Sequence, residues 1–197
     1  MDHVNPPDLI LASGSPYRKA LLERLGIAFR VARPDFDETA FPAEGLSPRG
    51  LAEALAVGKA RSVQEREPRA VVIGCDQLVS LDGRILGKPG TVERAVAQLA
   101  AMSGRVHELI TAMVVVGPDG QFAHTDISRL RMRNLDRSQI ERYVASDDPL
   151  DCAGSYKLEG RGVALFDRIE SDDATAITGL PLLALIRILE HLGYVVP

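Results

Sequence analysis

Ser13-Gly14-Ser15-Pro16 lies between an apolar run, Leu9-Ile10-Leu11-Ala12, and a stretch with apolar residues at Ala20, Leu21, Leu22 and Leu25. A helix starting there presents unpaired backbone N–H groups and the positive end of its dipole, an arrangement that suits phosphate. Ser13 and Ser15 add hydroxyls, Gly14 admits a close ligand, and Arg18 and Lys19 place cations in the first turn. Cations are unfavourable at that end of a helix, and a bound anion relieves them. The plain alternative is a capped helix with solvated Arg18 and Lys19.

Other residues could join that chemistry. Gly74-Cys75-Asp76-Gln77 follows the β-branched run Ala70-Val71-Val72-Ile73. A carboxylate at the end of a strand in an α/β fold often faces the ligand crevice, where Asp76 could bind a hard metal ion or take a proton from water. Asp35, Asp37 and Glu38 form a second acidic group, and two separated acidic groups suit a divalent ion that bridges protein and substrate phosphates. Lys59 and Lys88, the latter in Gly87-Lys88-Pro89, could meet phosphates as point charges. The segment Asp151 to Gly160 combines small residues with Tyr156, Lys157 and Glu159, the types a nucleobase site wants. Each group has a plain reading too: a turn-forming Asp, solvated acids, surface lysines and an ordinary loop.

These residues need elements to hold them. Ser15, Pro16 and Gly26 predict an N-cap, a first helical position and a stop. A short strand is expected over Ala28 to Ala32. Ser47-Pro48 opens a second helix, with Leu51, Leu55, Ala56 and Val63 on one face. Strands are expected at Ala70–Ile73 and Leu78–Leu81, the second entering a hairpin through Asp82-Gly83. Thr91 caps a helix that Gly104 stops. Two strands, His107 to Val116 and Gln121 to Arg131, flank a Gly117-Pro118-Asp119-Gly120 turn. Asp136 or Ser138 caps a helix through Ile140, Tyr143 and Val144. Val163 to Phe166 reads as a strand and Pro181 to Leu192 as a closing helix. Interleaved helices, strands and hairpins predict an α/β protein with a mixed sheet.

The chain as a whole sets bounds. Its 197 residues fit a single domain spanning 1–197, with two lobes around a cleft as the permitted variant. It is 46% hydrophobic and 25% charged, and lacks tryptophan, so Leu, Val, Ile and Ala must build the core. A formal net charge of −4 shows no bulk basic surface for a nucleic acid polymer, but leaves room for a small phosphorylated ligand. No signal peptide and no membrane-spanning run is read, which points to the cytoplasm. Cys75 and Cys152 are expected as reduced thiols, and His3, His107, His124 and His191 lack zinc-ligand spacing.

Taken in order, Leu11-Ala12-Ser13-Gly14-Ser15-Pro16 with Arg18, Asp37-Glu38, Lys59, Gly74-Cys75-Asp76-Gln77, Gly87-Lys88-Pro89, Ala153 to Glu159, and Gly179-Leu180-Pro181-Leu182 resemble the Maf family of nucleotide pyrophosphatases. The matching pieces spread over nearly the whole chain. The resemblance implies an elongated, two-lobed α/β fold with a twisted mixed sheet and a central cleft, like that of inosine-triphosphate pyrophosphatases. It implies hydrolysis of a nucleoside triphosphate to the monophosphate and pyrophosphate with a divalent cation, Mg2+ or Mn2+. Asp76 looks like the catalytic and metal-orienting carboxylate, Glu38 a second metal-site acid, and Arg18, Lys59 and Lys88 the triphosphate grip, with Ser13 and Ser15 supplying the loop. A homodimer is compatible with the resemblance.

Tyr17, Gln77 and Glu159 bear on the base. Gln after the Asp and Glu in the late motif resemble the subgroup associated with 7-methyl-GTP, not the one associated with dTTP and UTP. A carboxylate accepts two hydrogen bonds from the N1–H and N2–H₂ edge of guanine. A methylated, cationic base also favours Glu159 and an aromatic face such as Tyr17. Two alternatives stay open: the same reaction on UTP, CTP or a modified pyrimidine nucleotide, and a nucleotide-sensing regulator of septum formation. The presence of Asp76, Glu38, Lys59 and Lys88 together disfavours the second.

Overall fold

The computed structural model describes residues 6–118 and 120–196. His3 and Asp119 of the expected turn therefore lie outside the described residues. The elements run β1 (Leu9–Ala12), α1 (Pro16–Glu23), β2 (Arg30–Ala32), α2 (Pro48–Gln64), β3 (Val71–Leu81), β4 (Arg84–Leu86), α3 (Val92–Met102), β5 (Val106–Gly117), β6 (Gly120–Met132), α4 (Arg137–Asp147), β7 (Phe166–Glu170), α5 (Ala174–Ile177) and α6 (Leu182–His191). The seven strands form one sheet in the order β2-β1-β3-β5-β6-β7, with β4 paired to β3. Strand β1 is parallel to β2 and to β3, whereas β3–β4 and β6–β7 are antiparallel. The fold class is the mixed α/β arrangement that the interleaved pattern predicts.

The capping chemistry reads through directly. Ser15, Ser47 and Thr91 each accept from the backbone N–H three residues on, and Asp136 forms a full capping box with Gln139. Each such cap contributes about 1 kcal/mol. Asp82 and Gly83 both take positive φ, the conformation a two-residue hairpin turn requires.

Two expectations need correction. Ala70–Ile73 and Leu78–Leu81 are not separate strands: β3 runs unbroken from Val71 to Leu81, so Asp76 sits within a strand and not beyond one. The residues around it are small or apolar enough for the ladder to continue. Val163–Leu165 is not a strand but the end of a 3-10 segment, Arg161–Leu165, and β7 begins only at Phe166. Gly162 packs so tightly on Lys157 that a Cβ there would stand 2.4 Å from the Lys157 carbonyl oxygen, which favours a tight turn over extended chain.

The chain divides into two compact units. The first holds the chain up to Asp76, Thr111–Asp126 and everything from Asp173 onward; the second holds Gln77–Ile110 and Ile127–Asp172. The first unit's core joins Leu9, Leu11, Leu21, Leu22, Ile73, Cys75, Met113, Val115, Leu180, Leu185 and Leu189, all buried. Each buried Leu, Ile or Val contributes roughly 1.5–3 kcal/mol, so aliphatic volume does the work that tryptophan does elsewhere. In the second unit Leu99, Met102, Leu130, Met132 and Ile140 are fully buried. Among the described residues no helix is long and apolar enough to cross a membrane.

Candidate functional site

Strand β1 delivers the chain into Ser13 and stops there, where the Ser13 N–H bonds back to the Leu11 carbonyl at 3.0 Å. The Ser13 Oγ then accepts from the Ser15 N–H at 3.1 Å and from the Arg18 guanidinium at 3.4 Å. Arg18 Nε donates to the Gly179 carbonyl at 2.9 Å. Gly179 takes φ +110°, and a Cβ on it would crowd Arg18 Nε at 3.2 Å. The Gly179-Leu180-Pro181-Leu182 segment thus aims Arg18, and no side chain but glycine's tolerates both the backbone and the contact. Arg33 Nε lies alongside Gly14, 3.8 Å from where a Cβ would stand. The first turn of α1 contains no acid. Positive charge therefore gathers at a helix start, the pattern that a bound anion stabilises.

Helix α2 and strand β3 place the second group. Gly74 lets the two backbones touch: a Cβ there would stand 2.4 Å from the Ala56 carbonyl oxygen and 2.7 Å from the Ala60 Cβ. Lys59 is one residue from Ala60, and Asp76 is two along from Gly74 on the same strand face. That approach brings Lys59 Nζ to 2.5 Å from Asp76 Oδ1. Glu38 Oε1 reaches the same ammonium at 2.9 Å. Its loop is held by Phe36, whose ring packs so closely on Gly58 that a Cβ there would stand 2.4 Å away. Asp37 does something else: its carboxylate accepts from the Thr39 N–H, the Thr39 hydroxyl and the Ala40 N–H, forming a turn. Those bonds lower its pKa.

The electrostatics follow from burial. Asp76 is 4% exposed and Lys59 7%. Desolvation raises the Asp76 pKa above the ordinary carboxylate range, and Lys59 and Arg18 pull it part of the way back. Its Oδ2 is buried with no hydrogen-bond partner among the described residues. A buried, unmatched carboxylate oxygen is costly and calls for a partner that a substrate, water or cation can supply. Cys75 lies next to Asp76 on β3, and burial pushes its thiol up to about 11, so it is no nucleophile at neutral pH. Cys152 is pushed up to about 12 by burial and by Asp151. Both cysteines are free.

Tyr17 lies half-buried on α1. Gln77, Lys88 and Glu159 belong to the second unit. Gln77 is half-buried on β3, while Lys88 and Glu159 are exposed on loops. Two residues of the late motif are not available to a ligand in the way the sequence suggests. Tyr156 is 6% exposed, its ring tilted against His107 and edge-on to Phe166, so it is a core residue and not a stacking platform. Lys157 caps α4 instead, donating to the Asp147 and Asp148 carbonyls at 3.2 and 2.8 Å. His107, with Nε2 3.1 Å from the Tyr156 hydroxyl, is held down to about 4 by burial.

Sequence reasoning passes over Gly58 and over Gln98, whose amide joins the Gly87 carbonyl to the Ser155 hydroxyl. An isolated glycine inside a helical pattern signals close approach, which marks Gly58. A glutamine on a helix carries no comparable signal.

Residues 8–192 match the model of the Maf-like protein family, and the chain belongs to that family. It is 51% identical over 192 residues to a 7-methyl-GTP pyrophosphatase of Xanthomonas campestris, covering 97% of this chain and 99% of that one. It is 52% identical over 183 residues to a 7-methyl-GTP pyrophosphatase of Bdellovibrio bacteriovorus, covering 93% and 96%. Among solved structures, a nucleoside-triphosphatase / dITP/XTP pyrophosphatase of Mycobacterium abscessus aligns with TM-score 0.44 and 19% identity, over 65% of this chain and 75% of that one.

Proposed function

We propose that this Maf-like protein is a metal-dependent nucleotide pyrophosphatase that hydrolyses 7-methyl-GTP to the monophosphate and pyrophosphate. The observation that carries the reading is the buried Lys59–Asp76 pair, with Asp76 Oδ2 lacking a hydrogen-bond partner among the described residues. The names of the relatives supply the substrate. This reading takes the protein to act in the cytoplasm.

In this reading Ser13, Ser15, Arg18, Lys59 and Lys88 bind the triphosphate oxygens. Asp76 orients a water for attack on the α-phosphorus and takes its proton. A carboxylate whose pKa burial has raised is a better base than an exposed one, and Lys59 beside it favours the charged form. The bond from the α-phosphorus to the bridging oxygen breaks, and pyrophosphate leaves with its charge matched by the cations. Asp76 and Glu38 would hold the divalent ion, Mg2+ or Mn2+. The buried Asp76 Oδ2, with no hydrogen-bond partner among the described residues, fits that role, and both carboxylates already converge on one cation. Two carboxylates alone would leave the rest of the coordination to substrate phosphates and water, as is usual for Mg2+. The bound ion would supply Lewis-acid stabilisation of phosphoryl charge.

Glu159, with Gln77 and Tyr17, is assigned to the base. The Glu159 carboxylate accepts from the guanine N1–H and N2–H₂ edge and favours a base made cationic by N7-methylation. The test is pyrophosphate release with Mg2+ or Mn2+ across 7-methyl-GTP, GTP, UTP, dTTP and CTP. Preference for 7-methyl-GTP is expected. Preference for a pyrimidine keeps the reaction and overturns the base assignment; binding without release from any of them would make the protein a sensor.

A further inference from the structure

Helix α3 carries one side chain that ties two loops together. Gln98 Nε2 donates to the Gly87 carbonyl at 3.1 Å, next to Lys88. Its Oε1 accepts from the Ser155 hydroxyl at 2.5 Å, four residues before Glu159. Gly87, Gln98 and Ser155 all belong to the second unit. One amide thus spans the loop of a proposed phosphate-binding lysine and the loop of the proposed base-reading carboxylate.

Both loops are built to use that tie. Ser155 is fully buried and takes φ +63°, a left-handed conformation that costs a non-glycine residue of order 1 kcal/mol. Gly154 before it takes φ +73° and packs so closely that a Cβ would stand 2.8 Å from Val79 Cγ2. A segment in this conformation persists only where its surroundings over-determine it. The Lys88 loop has a second anchor, from the Gly90 N–H to the Leu150 carbonyl at 3.0 Å, and Lys157 N–H donates to the Tyr143 hydroxyl at 2.9 Å. Lys88 and Glu159 themselves are exposed, so their placement depends on the backbone beneath them. An amide is the side chain suited to the join, since it donates on one side and accepts on the other.

We propose that Gln98 is a positioning residue that fixes the Lys88 loop and the Ser155–Glu159 segment as one rigid piece, and that nucleotide preference depends on it. This rests on the assignment of Lys88 and Glu159 to substrate. Gln98 touches no substrate in this account; it acts through the two backbones it holds.

The experiment uses the full chain in two arms. Amide hydrogen exchange on the ligand-free protein reads Gly90, Ser155 and Lys157, whose N–H groups are all hydrogen-bonded. Gln98→Leu should speed exchange at all three by about tenfold, the size of one net hydrogen bond. Gln98→Glu keeps the acceptor for Ser155 and loses the donor to Gly87, so it should speed Gly90 more than Ser155. Kinetics form the second arm. Gln98→Leu should raise KM for 7-methyl-GTP by about tenfold and leave kcat within about twofold. Ser155→Gly removes the hydroxyl and the backbone strain together, so it should lose the same preference with an unchanged or higher Tm. The Gln98→Leu/Ser155→Gly pair should be no worse than either alone. Unchanged exchange at all three amides overturns the inference whatever the substrate proves to be. Altered exchange with undiminished 7-methyl-GTP preference overturns the link to specificity. A wild-type enzyme with no preference for 7-methyl-GTP removes the base assignment and the dependence of preference on Gln98, while the exchange arm still decides whether Gln98 holds the loops.

Discussion

Around Lys59 the molecule buries charge; around Gln98 it relies on neutral hydrogen bonds at and just beneath the surface and leaves the charges outside. Lys59 and Asp76 meet on a helix and a strand whose backbones touch at Gly74, and both are nearly sealed from water. Lys88 and Glu159 stand exposed on loops that Gln98 and Ser155 brace from within. The difference follows from the task proposed for each region. A proton-accepting carboxylate gains from a raised pKa, and burial raises it while the cation beside it favours the charged form. A group that reads a base must reach a ligand that comes and goes, so it is placed on a loop and steadied by its neighbours. Buried charge on regular elements is costly to alter; braced loops can change their residues more cheaply.

The comparison breaks first at Lys59. Lys59→Met leaves Asp76 buried without its closest cation, which should cost about 3 kcal/mol of stability and cut turnover by roughly 10²-fold or more. The stability loss should shrink as pH falls through the Asp76 pKa, because burial already raises that pKa and removal of Lys59 raises it further. Urea titrations at neutral and acid pH check both parts.

Gly74→Ala forces helix α2 away from strand β3, since the added Cβ meets backbone and not a flexible side-chain end. A loss of about 2–3 kcal/mol is expected. Turnover should fall more steeply than stability suggests, because Lys59 and Asp76 ride on those two elements.

His107 offers a pH test of the second unit. Its pKa falls from 6.5 to about 4 on burial, so the folded state holds it neutral while the unfolded chain takes up a proton below 6.5. Its contribution is present above pH 6.5 and is lost as pH falls toward 4, by up to about 3 kcal/mol. In His107→Gln the acid limb of stability against pH should be shallower, and an unchanged limb would contradict the assignment.

The smallest expected effect belongs to Glu159. Glu159→Gln should weaken 7-methyl-GTP by about tenfold in kcat/KM and weaken UTP by less, with Tm unchanged, as for loss of one charge-assisted hydrogen bond on a loop. Equal losses for both nucleotides would mean that Glu159 does not read the base.

Legibility in the sequence follows the same division. The caps at Ser15, Ser47, Thr91 and Asp136 were readable because capping is local chemistry. The pairing of Lys59 with Asp76 was not, because 17 positions separate them and only the close approach at Gly74 joins them. The strand through Gly74-Cys75-Asp76-Gln77 was hidden by residues that favour turns when nothing packs on them. Tyr156 looked like a stacking face because aromatic type says nothing about burial; its contacts with His107 and Phe166 are tertiary. Gln98 was invisible for the same reason, since both of its bonds go to distant segments.

In the proposed reaction Asp76 performs the chemistry while its neighbours hold phosphate. Pyrophosphate release from 7-methyl-GTP by Asp76→Asn, with folding verified by thermal melt, tests it most directly. The kcat of Asp76→Asn should be lower by roughly 10²–10⁴-fold, the range of a general base, at little change in KM. Turnover within a few-fold of wild type would show that the buried carboxylate is structural and that the catalytic base lies elsewhere.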